Sequence, residues 1–252
     1  MKWKFLFFFT FLFFLTNCKE KQLYLVKAEG KQIAVSDSLI TNNSIDAFIK
    51  PYREHIQKDL STVLAYAADT YSKTDGEFNT AIGNFMADAV FNEANPIFKS
   101  RTGKNIDMVL LNHGGIRSTL PKGNVTARTA FELMPFENSI VVVAMKGSQV
   151  NSLIHYLTKS KRAHPISKLK LVLNKDFNVI EASIGNKPID TNKTYYVATS
   201  DYLYNGGDNM LFFQPNDSLY VVDYKIRNAL IDHFKKVDTI KPVRDNRFIQ
   251  IQ

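Results

Sequence analysis

Apolar positions recur at three- and four-residue steps from Ile45 through Phe48, Ile49, Tyr52, Ile56 and Leu60 to Val63 and Leu64, predicting a long amphipathic helix capped by Ser44. Pro51 lies inside this stripe and marks either a kink or the true first turn. The stripe breaks at "YSKTDGEFNT", and a second helix is expected from about Thr80, with Ile82, Phe85, Met86, Ala89 and Val90 on one face. The run "IDMVLLN" (106–112) reads as a buried strand ending in a glycine turn, "NHGGIR" (112–117). Thr126 can cap a short helix "ARTAFELM" that Pro135 stops. "SIVVVAM" predicts a strand, "GSQVNSLIHYLTKS" a helix, and "LKLVLN", "VIEASI" and "TYYVATSDYL" three further strands. A second glycine turn, "YNGGDNM" (204–210), follows, and "VVDYKIRNALIDHFKKV" reads as the last helix before the tail "DNRFIQIQ".

No period of 20 to 50 residues repeats, and no low-complexity linker divides the chain. The pattern predicts one mixed α/β domain of the α+β class over residues 44–252, its mixed sheets covered by helices. Residues 18–43 read as a tether and leader, in which "QLYLVKA" and "KQIAV" suggest a strand or two. Residues 1–17 are a different material: Lys2 and Lys4 precede an apolar run from Phe5 to Leu15, the form of a signal peptide. Cys18, the only cysteine, stands where such a signal is cut, and "LTNC" resembles a bacterial lipobox with Asn17 in place of the usual small residue. The expectation is an exported protein, lipid-anchored through Cys18 to a bacterial cell-envelope membrane on its periplasmic or surface face.

The formal charge is +8, dispersed except for "KSKRAH" (159–164). Without clustered basic residues interleaved with aromatics, no nucleic-acid partner is expected. The histidines His55, His113, His155, His164 and His233 show no ligand spacing, and no HExxH occurs, so no metal site is expected in this chain. There is no GxSxG elbow, P-loop or GxGxxG, and no catalytic residue is assigned. What remains is a pair of turns suited to holding a ligand. Gly114 and Gly115 let backbone amides approach an anion, and Arg117 offers a fork of donors suited to phosphate. Gly206 and Gly207 form the second turn, beside which Asp208 can accept from two neighbouring hydroxyls. Phe136 and Tyr202 stand next to turns, where their rings fit either a stacking platform or the core.

The run "NHGGIRSTLPKGNVTARTAFELMPFENSIVVVAMKGSQV" (112–150) resembles the C-terminal, substrate-binding domain of the 5′-nucleotidase family. "TAIGNFMADAVF" (80–91) and "YYVATSDYLYNGGDNM" (195–210) are similar to two further motifs of that domain, in the same order. The resemblance implies that Phe136 and Tyr202 sandwich a base, that Asn112 and Asn138 reach its edge or the sugar, that Asp208 takes ribose hydroxyls, and that Arg117 faces the phosphate. His113 replaces the first glycine of the family's turn, and the segment before the second helix lacks the family's arginine, leaving Lys73 as a substitute. In the family a metallophosphoesterase domain supplies two metal ions and the attacking water. The resemblance therefore implies a nucleotide- or nucleoside-binding half of a 5′-nucleotidase-type hydrolase, working with a separate metallophosphoesterase chain that holds the divalent metals. The alternative is a stand-alone nucleoside- or nucleotide-binding lipoprotein for capture or uptake.

Overall fold

The computed structural model describes residues 23–36, 39 and 42–251. The expected signal segment and the lipidation site Cys18 lie outside the described residues. The chain divides into two compact units, residues 1–48 and 49–252, and the sheets formed by the described residues all belong to the second. Residues 23–36 are exposed and form no strand ladder, so the strand or two suggested for the leader is not formed among them.

Helix α1 (Asn43–Ser61) is capped by Asn42, not Ser44: Asn42 Oδ1 accepts the Ser44 backbone N–H at 3.1 Å. It passes through Pro51 and buries no residue. Val63 and Leu64, which continue its apolar period, instead open strand β1 (Val63–Ala67). Helix α2 (Ala81–Thr102) begins where expected, because Thr80 Oγ1 accepts the Gly83 N–H at 3.1 Å; it ends at Gly103, whose φ of 72° suits a residue without Cβ.

The centre of the fold is a five-stranded sheet with order β10-β4-β9-β2-β5, comprising β2 (Met108–Leu110), β4 (Ser139–Lys146), β5 (Ile166–Ser167), β9 (Thr194–Ser200) and β10 (Ser218–Lys225). Its inner strands carry continuous buried apolar runs, Met108–Leu110 in β2 and residues 140–145 in β4, because both faces are covered there. In β4, Ile140 and Val142 enter one hydrophobic cluster while Val141, Val143 and Met145 enter the other. The first cluster is closed by α2 and by α6 (Ile226–Lys236), with Met86, Val90, Leu230 and Phe234 fully or almost fully buried. Helix α4 (Gly147–Ser160) closes the second through Val150, Leu153 and Leu157. A three-stranded sheet, β11-β1-β3, joins β1 to β3 (Gly123–Thr126) and β11 (Thr239–Ile240). A four-stranded sheet, β12-β6-β7-β8, joins β6 (Leu169–Leu173), β7 (Val179–Ile184), β8 (Lys187–Pro188) and β12 (Phe248–Gln250).

Two expectations are corrected here. "VVDYK" opens no helix: it belongs to β10, which pairs antiparallel with β4 and shifts register between Val221 and Lys225, where Asp223 has φ 55°. "DYL" likewise leaves the strand, forming the short helix α5 (Asp201–Tyr204) with Ser200 Oγ accepting the Leu203 N–H at 3.1 Å. Helix α3 (Ala127–Leu133) is capped by Thr126 as expected, through a reciprocal box with Thr129.

Candidate functional site

Strands β2 and β9 are parallel neighbours, with Val109 opposite Ala198, so both glycine turns leave the same end of the sheet. Strand β4 runs antiparallel to β9, with Ile140 opposite Ser200, which brings the segment preceding β4 to that end as well. Three loops that are far apart in the chain therefore meet at the carboxyl ends of β2 and β9. Asn112, Gly114, Arg117, Phe136, Asn138, Tyr202 and Asp208 line one cleft of ≈ 280 Å³ there.

Asp208 organises the cleft. Its Oδ2 accepts from Asn112 Nδ2 at 2.9 Å and its Oδ1 from the Tyr202 hydroxyl at 3.1 Å, while its backbone carbonyl accepts from the Tyr156 hydroxyl at 2.9 Å. A carboxylate has about four acceptor positions, so two remain for a ligand's hydroxyls. The left-handed backbone at Asp208 (φ 52°), one that Asp tolerates, turns the side chain back onto the first loop.

Gly115, Gly206 and Gly207 do not line the cleft; they shape it. A Cβ at Gly115 would stand 2.8 Å from Asn112 Oδ1, and one at Gly207 would overlap the Tyr202 ring. Gly206 has φ 90°, open to glycine at no steric penalty. Arg117 is exposed; its backbone N–H donates to the Leu133 carbonyl at 2.9 Å, while its guanidinium carbon lies 5.7 Å from the Phe136 ring centroid and its side chain makes no hydrogen bond or ion pair with the described residues. Lys73, the expected stand-in for a second cation, instead donates to the Ile116 carbonyl at 2.8 Å and does not line the cleft.

His113 does not line this cleft. Its Nδ1 is 3.3 Å from the Ala163 carbonyl, and burial, together with Lys73 and Arg162, holds its pKa below the ordinary value. Among the described residues no group of three His, Cys, Asp or Glu side chains stands where it could hold a metal ion. The described residues thus provide no donor set for the metals that the family resemblance implies, and no hydrolytic step is assigned to them.

Sequence reasoning missed two supports. Tyr156 lies within the predicted helix "GSQVNSLIHYLTKS", and nothing local marks its contact with Asp208. His164 is 3% exposed, and its Nδ1 accepts the His113 backbone N–H at 3.3 Å, placing its proton on a buried Nε2 that has no partner among the described residues. Burial pushes its pKa down from 6.5 to about 4, against the opposing pull of Asp208. The unfolded chain takes up this proton near pH 6.5 and the folded chain only near 4, so stability is complete above that window and falls as pH drops through it. The expected loss is on the order of 3 kcal/mol in total. Urea unfolding of wild type and His164→Gln between pH 7 and 4 checks this: the wild-type decline should flatten in the variant.

The central strands of this two-cored mixed α/β domain thus bring a carboxylate, an arginine and two rings to one cleft. Residues 57–215 match the family described as 5′-nucleotidase, C-terminal domain, and the chain belongs to that family. It is 25% identical over 252 residues to an apyrase of Tabanus yao, a match covering 90% of this chain and 45% of that one. It is 28% identical over 234 residues to the NAD 5′-nucleotidase of Haemophilus influenzae, covering 82% and 37%. Among solved structures, a 5′-nucleotidase precursor of Thermus thermophilus shares the fold with a TM-score of 0.69 at 19% identity, over 83% of this chain and 43% of that one. The chain spans less than half the length of these relatives.

Proposed function

We propose that this chain is the nucleotide-binding half of a 5′-nucleotidase-type hydrolase, exported, lipid-anchored through Cys18, and completed by a separate metallophosphoesterase chain. The observation that carries the reading is the convergence of Asn112, Arg117, Phe136, Asn138, Tyr202 and Asp208 on one cleft. In this reading the base lies between the Phe136 and Tyr202 rings, Asn112 and Asn138 reach its edge or the sugar, and the free acceptor positions of Asp208 take the ribose diol. Arg117, whose exposed side chain has no hydrogen-bond or ion-pair partner among the described residues, faces the phosphate. This chain binds and orients; the divalent metals and the attacking water belong to the partner.

Isothermal titration with AMP, adenosine and the 2′,3′-dideoxy analogue of AMP tests the binding half. AMP should bind, the dideoxy analogue more weakly. Asp208→Ala should weaken AMP by about 10- to 150-fold and abolish the preference for the diol, since hydrogen bonds to a charged group are worth about 1.5–3 kcal/mol. Failure of the wild-type chain to bind any of the three ends the reading. Pull-down of a metallophosphoesterase that gains activity toward nucleoside monophosphates on mixing tests the other half.

Arg117 is the one cation among the residues lining the cleft, which favours a second reading: a lipoprotein that captures nucleosides or nucleotides for uptake. Adenosine bound as tightly as AMP, with no activity gained from any metallophosphoesterase, selects it.

A further inference from the structure

Phe136 stands on an exposed turn between α3 and β4, where a ring has little of its own to hold it. The turn is instead gripped from α6. Arg227, in the first turn of that helix, is 5% exposed, and its Nη1 donates to the carbonyls of Pro135 at 3.3 Å and Phe136 at 3.4 Å. Its Nη2 donates to the Glu137 carboxylate, which also pairs with Lys225. The face of the guanidinium lies against Phe131 of α3, with Cζ 4.1 Å from the ring centroid. One residue earlier, the Ile226 N–H donates to the Asn138 carbonyl at 3.0 Å. Every residue from Pro135 to Asn138 is therefore tied to Lys225, Ile226 or Arg227.

We propose that Arg227 is a positioning residue for base recognition: its planar fork fixes the Pro135–Asn138 turn so that Phe136 and Asn138 stand ready on the cleft. The inference rests on the nucleotide-binding reading above and adds to it a residue that touches no ligand. A guanidinium is needed because two carbonyls and a carboxylate must be met in one plane while the flat face packs on a ring. Its Nε is buried without a partner among the described residues, so the group is held there at an energetic disadvantage that the turn's three acceptors offset. Arg227 also joins α3 to α6, and a purely structural staple would show similar contacts. The two roles differ in which ligands they affect.

The test compares AMP with ribose 5-phosphate, which has no base, in the full-length chain. Arg227→Met should weaken AMP by about tenfold, a part of what full loss of a stacked ring removes, and weaken ribose 5-phosphate less, since Phe136 has no base to stack on there. Arg227→Lys, which keeps the charge but not the fork, should fall between. On a Phe136→Ala background, Arg227→Met should add little further loss of AMP affinity, because both changes remove the same ring from the cleft. If Arg227→Met does not fold, Glu137→Gln serves in its place, since that carboxylate is exposed and its loss loosens the same grip. Unchanged AMP affinity, equal losses for the two ligands, or a full additional loss on the Phe136→Ala background overturns the positioning role and leaves the binding site standing. A wild-type chain that binds no AMP overturns the proposed function and this inference with it.

Discussion

Replacing Phe136 or Tyr202 with alanine is expected to weaken AMP binding by about five- to 150-fold each, the equivalent of the roughly 1–3 kcal/mol carried by one stacked base. The two substitutions should not be equal. Phe136 contributes its ring and little else, whereas Tyr202 also donates its hydroxyl to Asp208 Oδ1 and lies against Gly207. Tyr202→Ala therefore removes a stacking face and one of the two bonds that orient the Asp208 carboxylate, and should be the worse of the pair. Tyr202→Phe separates these contributions: it keeps the face and loses the bond, so its loss should be about tenfold or less. Isothermal titration with AMP measures all three. Unchanged affinity in both alanine variants sinks the stacking assignment.

The second large effect concerns stability and the end of the chain. Phe248 is completely buried and packs against Phe78 with ring centroids 5.1 Å apart, and its carbonyl accepts from Asn79 Nδ2 at 2.8 Å. Phe248→Ala is expected to destabilise the fold by about 3–5 kcal/mol, the range for emptying a buried aromatic position. Its neighbour Arg247 donates to Asp88 and Asp245 and to the Ile166 carbonyl at 2.8 Å, linking the tail to α2 and β5. That network is partly exposed, so Arg247→Leu should cost less than Phe248→Ala. A urea midpoint for Phe248→Ala within experimental error of wild type contradicts the tail's place in the core.

Elements whose apolar period ran cleanly for many residues were legible in the sequence: α2 from about Thr80, β4, and α4. Where two elements abut without a turn residue, the period ran on past the boundary. Val63 and Leu64 continue the spacing of α1 by coincidence yet pair as a strand with Thr126 and its neighbours. "VVDYK" continues the spacing of α6 in the same way, but β4 holds it as an edge strand. Apolar period alone cannot separate a short strand from a helical turn; a partner strand decides, and that partner is remote in sequence. The loops around the cleft were legible where turns declared themselves, although of Gly114, Gly115, Gly206 and Gly207 only Gly114 lines it. Tyr156, His164 and Arg227 declared nothing, because each acts across the fold through a backbone carbonyl or amide.

The sequence by itself determined the residue types a ligand would need, the turns that expose them, and the family resemblance carried by three ordered motifs. It could not place Asn112, Phe136 and Asp208 together, since up to 96 residues separate them. Strand order did that: β4, β9 and β2 lie side by side, with β4 antiparallel to its neighbour, so the start of one strand and the ends of two others share one edge. Backbone hydrogen bonding between distant segments fixed that order, and its register put each side chain within reach of Asp208 or the cleft around it.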